Sequence, residues 1–388
     1  MELRRGSNLG SYIVSAWGVI MLEWSYIDLY CGGGGLSQGA KMAGGTHVAG
    51  LDNDHDSGAV AHYNQHFSNP EQFVEGFDLN NSPSDALRPL LPKHGRWILI
   101  GGPPCKGFSI AGLEDPEDER SKHVQNFMQV VKDLNPPGFF FENVPNIFGL
   151  RNQKPKDVHE RIQSDPKFKA LKTYTEKFGY TVSAHVLIAS EYGTPQNRIR
   201  VFFMGTKNGN SVEEPPSTHH LNGKSDSKLP SSITVKQALS DLPKKLGKVP
   251  IEYDSQPTNE FQKWARAGCK AVTGHLDTKH SQEIKEKIEK TPYGKSAMNY
   301  NHSWVKFHPD KPANTIKMNN RAPGLHWERN QSLSPRECAR LQGFPDRYKL
   351  IGTKTQMLNV IGNAVPPQLS SAVCRTLVKA LGWKKTKS

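Results

Sequence analysis

The stretch Asp28-Leu29-Tyr30-Cys31-Gly32-Gly33-Gly34-Gly35-Leu36-Ser37 decides how the rest of the chain is read. It overlaps the end of a short apolar run at residues 26–29 and opens a helical pattern, and the next apolar run, residues 47–51, closes on Asp52. Strand, glycine turn, helix, strand and acid are the order of a nucleotide-binding β-α-β unit. Gly32, Gly33 and Gly35 would let a ligand approach the backbone, and Asp52 stands where it can hydrogen-bond a ribose; a flexible turn beside a solvated aspartate is the plainer alternative. No Gly-Lys-Ser/Thr follows, which excludes a Walker A loop. The order suggests a nucleoside-containing cofactor.

Working outward, apolar runs at residues 97–100, 138–141, 181–188 and 198–204 predict further strands of a parallel sheet with helices on its faces. Val124, Phe127, Met128, Val131 and Leu134 share one face of a helix that Pro136 stops. After Gly205 the composition shifts to Lys, Ser, Asn and Pro with weak periodicity, which predicts a separate, less regular unit. Regular pattern returns at Ser334-Pro335-Arg336-Glu337, a capping box with proline at the first helical position. A last helix is expected over residues 367–381, with Leu369, Val373 and Leu377 on its apolar face. The expected division is an N-terminal extension at 1–24, a cofactor-binding domain at 25–205, a second domain at 206–333, and a closing segment at 334–388.

Composition narrows the class. The chain has 388 residues, 36% hydrophobic and 22% charged, enough to bury a sizeable core. Its net charge of +13 favours a polyanionic partner such as nucleic acid. Five cysteines with no Cys-x-x-Cys pair argue against a disulfide framework and a zinc site, so no metal is expected. No window approaches the roughly 18 apolar residues of a membrane span, so no membrane association is expected.

Three more stretches carry chemistry. Gly101-Gly102-Pro103-Pro104-Cys105-Lys106-Gly107-Phe108-Ser109 places a thiol beside a cation in a rigid loop after a strand. A neighbouring cation enlarges the thiolate fraction, which makes Cys105 a candidate nucleophile. In Phe139-Phe140-Phe141-Glu142-Asn143-Val144-Pro145 the aromatics read as a strand buried on both faces, so Glu142 at its end can be dehydrated enough to donate a proton. Arg198 and Arg200, two apart, would project to the same face of a strand and could clamp a carbonyl, carboxylate or phosphate.

Taken in order, these motifs resemble the DNA (cytosine-5) methyltransferases. The resemblance assigns Asp28 to Gly35 to the S-adenosylmethionine loop, Pro103-Pro104-Cys105 to the catalytic loop, Glu142-Asn143-Val144 to the proton-donor motif and Gln196-x-Arg198-x-Arg200 to the arginine motif. Arg336-Glu337-x-x-Arg340-Leu341-Gln342-Gly343-Phe344-Pro345 and Gly362-Asn363-Ala364-Val365-Pro366 resemble the two closing motifs. It implies a Rossmann-like S-adenosylmethionine-dependent fold with residues 206–333 as target-recognition domain. It further implies catalytic roles for Cys105, Glu142, Asn143, Arg198 and Arg200, and cofactor contacts from Tyr30, Gly32, Gly33, Gly35, Asp52, Asp78, Asn363 and Ala364. The implied partner is double-stranded DNA bound by a monomer, in the cytoplasm of a prokaryote, where a restriction endonuclease could accompany it, or in a eukaryotic nucleus.

The chain departs from the family pattern at Lys106, where glutamine is usual, and at Tyr30, where phenylalanine is usual; Asp54 competes with Asp52 for the ribose. A tRNA cytosine-5 methyltransferase is the nearest alternative, but its loop resembles Pro-Pro-Cys-Gln-Pro-Phe-Thr, unlike the Lys106-Gly107-Phe108-Ser109 found here. A decayed fold kept as a DNA-binding scaffold is disfavoured by intact Cys105, Glu142, Arg198 and Arg200. The first assignable element begins near Tyr26, and Met21 could serve as the start. A chain beginning at Trp24 should therefore stay soluble and transfer methyl groups; an insoluble or inactive product would show that the extension packs on the core.

Overall fold

The apolar runs become the strands of one six-stranded sheet in a computed structural model, which describes residues 23–67, 83–104, 122–148, 155–221, 228–298, 303–317 and 323–383. Strands β1 (Trp24–Leu29), β2 (Gly45–Leu51), β3 (Trp97–Gly101), β4 (Gly138–Asn143) and β5 (Thr181–Ile188) are followed by a two-residue strand β6 (Gln196–Asn197) and by β7 (Ile199–Thr206). The order across the sheet is β2-β1-β3-β4-β7-β5. Central strands are buried along their whole length because helices cover both faces, and so they read as continuous apolar runs rather than alternating ones.

The expectation of a parallel sheet needs one correction. Strands β2, β1, β3 and β4 run parallel, but β7 is antiparallel to both β4 and β5. The cause lies in the connection: β5 and β7 are joined by a single 3-10 turn, Ala189–Tyr192, ending at Gly193 with φ of 84°, and by β6. A parallel crossover needs a dozen or more residues, so this short link returns the chain antiparallel.

Phe139, Phe140 and Phe141 are fully buried, as their run of aromatics predicts. Phe139 and Phe141 join Leu29, Leu99 and Phe203 on one side of the sheet, whereas Phe140 joins Ile98, Ile100 and Phe202 on the other. The first side is covered by α3 (Lys122–Leu134), α4 (Pro155–Ser164) and α5 (Pro166–Glu176), which contribute Phe127, Val131, Val158, Ile162 and Phe168. The second is covered by α1 (Gly35–Met42) and, from the far end of the chain, α11 (Pro367–Ala380). A further helix, α2 (Ala59–Phe67), follows β2.

Between β7 and the closing segment, the described residues hold short helices α6 (Val235–Leu239), α7 (Glu260–Arg266) and α8 (Gln282–Lys290). Their apolar residues Val235, Leu239, Phe261 and Ala265 share a core with Cys338 and Leu341 of α9 (Pro335–Gln342) and with Leu358 and Ile361 of α10 (Lys354–Asn363). The start of α9 has the predicted capping box, Ser334 and Glu337 each accepting from the other's backbone N–H.

A buried charge network fixes this second core to α9. The Arg340 guanidinium, fully buried, donates to Asp346 Oδ1 at 2.7 Å, to Asp241 Oδ1 at 2.9 Å and to the Ala238 carbonyl at 2.8 Å. Tyr253 donates its hydroxyl to Asp346, and Arg336 lies 3.6 Å from the same carboxylate. Burial pushes the Asp346 carboxyl up, but the hydrogen bonds and charge of Arg340 outweigh it and hold the group below the usual carboxylate range. Arg340→Met removes the main partner of two buried carboxylates and should cost about 3–5 kcal/mol in urea denaturation at neutral pH. A carboxyl depressed in the fold stabilises above its unfolded pKa and loses that contribution as pH falls through the lower, folded value. The gap between wild type and variant should therefore narrow below about pH 4; a gap independent of pH would contradict this assignment.

Candidate active site

The candidate site lies at the carboxyl ends of β1, β3 and β4, where sheets of this architecture build ligand sites. β1 ends at Leu29, and the chain turns through Tyr30 at φ 56° and Gly32 at φ 53° before α1 begins. The Gly32 N–H donates to Asp52 Oδ2 at 2.8 Å, and the Asp54 N–H donates to Asp52 Oδ1 at 2.8 Å. Asp52 is thus buried as the brace of the glycine loop, and burial raises its carboxyl pKa despite those two bonds. Asp54 is exposed and accepts from Ser57 N–H in a local turn, so of the two acids Asp52 is the one built into the loop.

The glycines divide into two kinds. A β-carbon on Gly32 would meet nothing within 4 Å, so this position faces open space. A β-carbon on Gly33 would lie 2.1 Å from Val360 Cγ1, and one on Gly35 would lie 2.3 Å from the Val365 carbonyl oxygen and 3.0 Å from Ala364 Cβ. Gly33 and Gly35 therefore leave room for α10 and the residues after it. Tyr348 donates its hydroxyl to the Gly33 carbonyl, which fixes the loop from the same side. Ala364 is buried against this loop with its carbonyl accepting from Gln342, whereas Asn363 is exposed at the end of α10.

Glu142 sits near the end of β4, 9% exposed, and forms an ion pair with Arg200 Nε. Burial raises its carboxyl pKa, while the charges of Arg200 and Arg198 pull it back. A β-carbon on Gly102 would lie 3.8 Å from Glu142 Oε2 and 3.9 Å from the Tyr30 carbonyl, so this carboxylate faces the gap between the glycine loop and the Pro103-Pro104 loop. Asn143 donates from Nδ2 to the Pro103 carbonyl at 3.1 Å and accepts from the Val144 N–H at 2.9 Å. It holds the base of the Pro-Pro loop on β4. The Tyr30 hydroxyl donates to the His123 carbonyl at 3.1 Å, tying the other side of the gap to α3.

Arg198 and Arg200 bond different partners, although the charges of both act on Glu142. The strand is interrupted at Arg198, between β6 and β7, because β6 pairs with Ala313–Asn314 instead of continuing the sheet. Arg198, 2% exposed, donates Nη1 to the Ile316 carbonyl and Nη2 to the Gly362 carbonyl, both at 2.8 Å. Only Arg200 reaches Glu142 as an ion pair among the described residues. Gln196, given no role from its place in the arginine motif, is fully buried and bonds Gln342 Oε1 at 2.7 Å and the Ile316 N–H at 2.9 Å. Cys105, Lys106 and Asp78 lie outside the described residues.

This geometry agrees with what comparison with known proteins finds. The family model for C-5 cytosine-specific DNA methylase matches residues 24–379. The chain is similar to the type II methyltransferase M.DdeI of Desulfomicrobium norvegicum, 29% identical over 395 residues covering 92% of this chain and 88% of the relative. It is also similar to the type II methyltransferase M1.HphI of Haemophilus parahaemolyticus, 28% identical over 384 residues covering 95% and 90%. Among solved structures, a chain described as a DNA modification methyltransferase of an Escherichia coli prophage shares the fold at a TM-score of 0.71 and 24% identity, over 93% of this chain and all of that one. With the family's model matched from the first strand almost to the end of the last helix, the chain belongs to the C-5 cytosine-specific DNA methylases.

Proposed function

We propose that the chain methylates C5 of a cytosine flipped out of duplex DNA, by way of a covalent bond between Cys105 and C6. The observation that carries this reading is the convergence of Gly32, Asp52, the Pro103-Pro104 loop and the Glu142–Arg200 pair at the carboxyl ends of the central strands. Family members use S-adenosylmethionine, and open space at Gly32 beside the braced carboxylate of Asp52 fits such a ligand. Tyr30, Gly32 and Asp52 would hold it directly. Gly33, Gly35 and Ala364 act by shaping the loop, and Asn363 and Asp78 are further candidates. When bound, it supplies an electrophilic methyl group.

The aromatic C5 of cytosine is a poor nucleophile. Addition of the Cys105 thiolate to C6 splits one hard step into two easier ones. Glu142, whose burial favours the protonated form, donates to N3 as the thiolate adds, so negative charge does not build up on the ring. Arg200 orients that carboxyl and stands where it can reach the ring oxygen O2, while Arg198 acts through the backbone it clamps. Asn143 positions the cysteine loop by its bond to Pro103. Once C5 carries the methyl group, loss of the C5 proton to water restores the C5–C6 double bond as the C6–sulfur bond breaks and the thiolate leaves, and the N3 proton returns to Glu142.

Because C6 is inaccessible in a stacked pair, the base must leave the duplex at a cost of a few kcal/mol, offset by phosphate contacts from a chain of net charge +13. Residues 206–333 would read the bases around it, since every other motif serves steps common to all targets. The relatives' designation as type II methyltransferases supports a prokaryotic DNA-modification role, in which a restriction endonuclease would share the target sequence.

A duplex carrying 5-fluorocytosine at the target position should trap wild-type protein covalently, since fluorine cannot leave as a proton does, and Cys105→Ser should form no adduct while binding S-adenosylmethionine nearly normally. Active protein with no adduct would sink the thiol-addition step. By calorimetry, Asp52→Ala should weaken S-adenosylmethionine binding by roughly 1.5–3 kcal/mol, the scale of a hydrogen bond to a charged group, and Asp54→Ala by much less. The reverse ranking would move the ribose ligand to Asp54.

A further inference from the structure

The far edge of the sheet carries a side-chain cluster that the proposed chemistry does not use. His159 on α4, His185 on β5 and Glu214 in the segment after β7 each offer one ligand atom, and these atoms lie within 4.8 Å of one another. We infer that this cluster is a divalent transition-metal site, of a kind suited to Zn2+, that clips the segment after β7 to the edge of the sheet. The absence of paired cysteines, from which no metal was expected, bears only on thiolate sites and not on this one.

The second observation is the state of His185. Its ring is 9% exposed, and its Nε2 lies 2.8 Å from the Val212 carbonyl. A carbonyl only accepts, so Nε2 carries the proton in the neutral ring and Nδ1 is left with a lone pair. That buried Nδ1 has no hydrogen-bond partner. A histidine that donates one ring nitrogen to a backbone carbonyl and keeps the other unpaired, beside a second histidine and a carboxylate, has the outer-sphere arrangement of a metal ligand. The His159 and His185 ring centroids are 6.0 Å apart.

The backbone on every side is already fixed. Gln163 of α4 donates to the Ala184 carbonyl at 3.1 Å, next to His185. Val212 N–H donates to Ser183 Oγ at 3.0 Å, and the Tyr192 hydroxyl donates to the Pro215 carbonyl at 2.8 Å, so Glu214 is held between two anchored residues. Two imidazoles and a carboxylate with a fourth position open to water suit Zn2+; an all-oxygen set would suit Mg2+ or Ca2+ instead. Bonds of about 2.0–2.2 Å in a tetrahedron require ligand atoms roughly 3.3–3.6 Å apart. Closure is possible because His159 is half-exposed and Glu214 is exposed, free to move while His185 stays fixed.

The role is structural. His185 pairs with Phe202, which pairs with Glu142, so the three residues form one row across β5, β7 and β4. The fully buried Phe202 stands between the cluster and the candidate site. A metal here would therefore hold the start of the 206–333 segment on the sheet without touching the reacting base.

Full-length protein stripped with a chelator and titrated with Zn2+ by calorimetry should take up one tight equivalent and unfold at a higher temperature when loaded. His159→Asn and Glu214→Gln should each weaken that equivalent roughly tenfold or more and abolish the thermal shift, with methyl transfer at ordinary temperature unchanged. Cys269→Ser, which alters a half-buried thiol outside the cluster, should leave uptake as in wild type. No stoichiometric uptake by wild type, uptake unchanged in both cluster variants, or uptake lost in Cys269→Ser would each overturn the inference.

Discussion

A single buried guanidinium, that of Arg198, joins three parts of the chain that are far apart in sequence. It leaves the sheet at the break between β6 and β7 and donates to the carbonyls of Ile316 and Gly362. Each such bond from a charged donor is worth about 1.5–3 kcal/mol, and losing the donor would leave two buried carbonyls unsatisfied. Gln196 adds a second set of bonds to Gln342 and to the Ile316 N–H. These contacts hold α10 and the residues after it where Gly33 and Gly35 must be side-chain-free to receive them. The glycine loop therefore takes its shape from residues more than three hundred positions later, Tyr348 on Gly33 among them.

The same economy of position governs Glu142. Its strand is anchored by Phe139 and Phe141 on one face and Phe140 on the other, so the carboxyl cannot retreat into solvent. Burial favours its protonated form and Arg200 opposes that, which leaves a group able both to hold and to give up a proton. Asn143 on the next residue fixes Pro103. One strand end thus sets the geometry of the carboxyl and of the loop leading to Cys105, which is what the proposed covalent chemistry needs.

Much of this was legible in the sequence because the signals were local. Continuous apolar runs mark buried strands, the Phe139 to Phe141 run marks a strand between two cores, and Ser334 to Glu337 marks a helix start. The direction of β7 was not legible from its composition, since β-propensity carries no orientation; the short 189–198 connection was the usable sign. The spacing of Arg198 and Arg200 does not reveal that Arg198 clamps the Ile316 and Gly362 carbonyls, because those partners lie more than a hundred residues later. Gly32 faces open space, in keeping with the ligand approach read from the loop, while Gly33 and Gly35 answer to the closing segment, which the loop itself does not show. Gln196 and Tyr348 went unassigned for the same cause, their partners lying over a hundred residues away.

The chemistry proposed for these residues is modification of cytosine at C5 in duplex DNA. Bisulfite sequencing of chromosomal DNA from a host lacking cytosine methylation, expressing either this chain or its Cys105→Ser variant, tests that claim most directly. The account predicts protected cytosines at one position of a single short sequence with the wild-type chain and none with the variant. An unprotected genome despite soluble wild-type protein, or protection that survives in the variant, would contradict it.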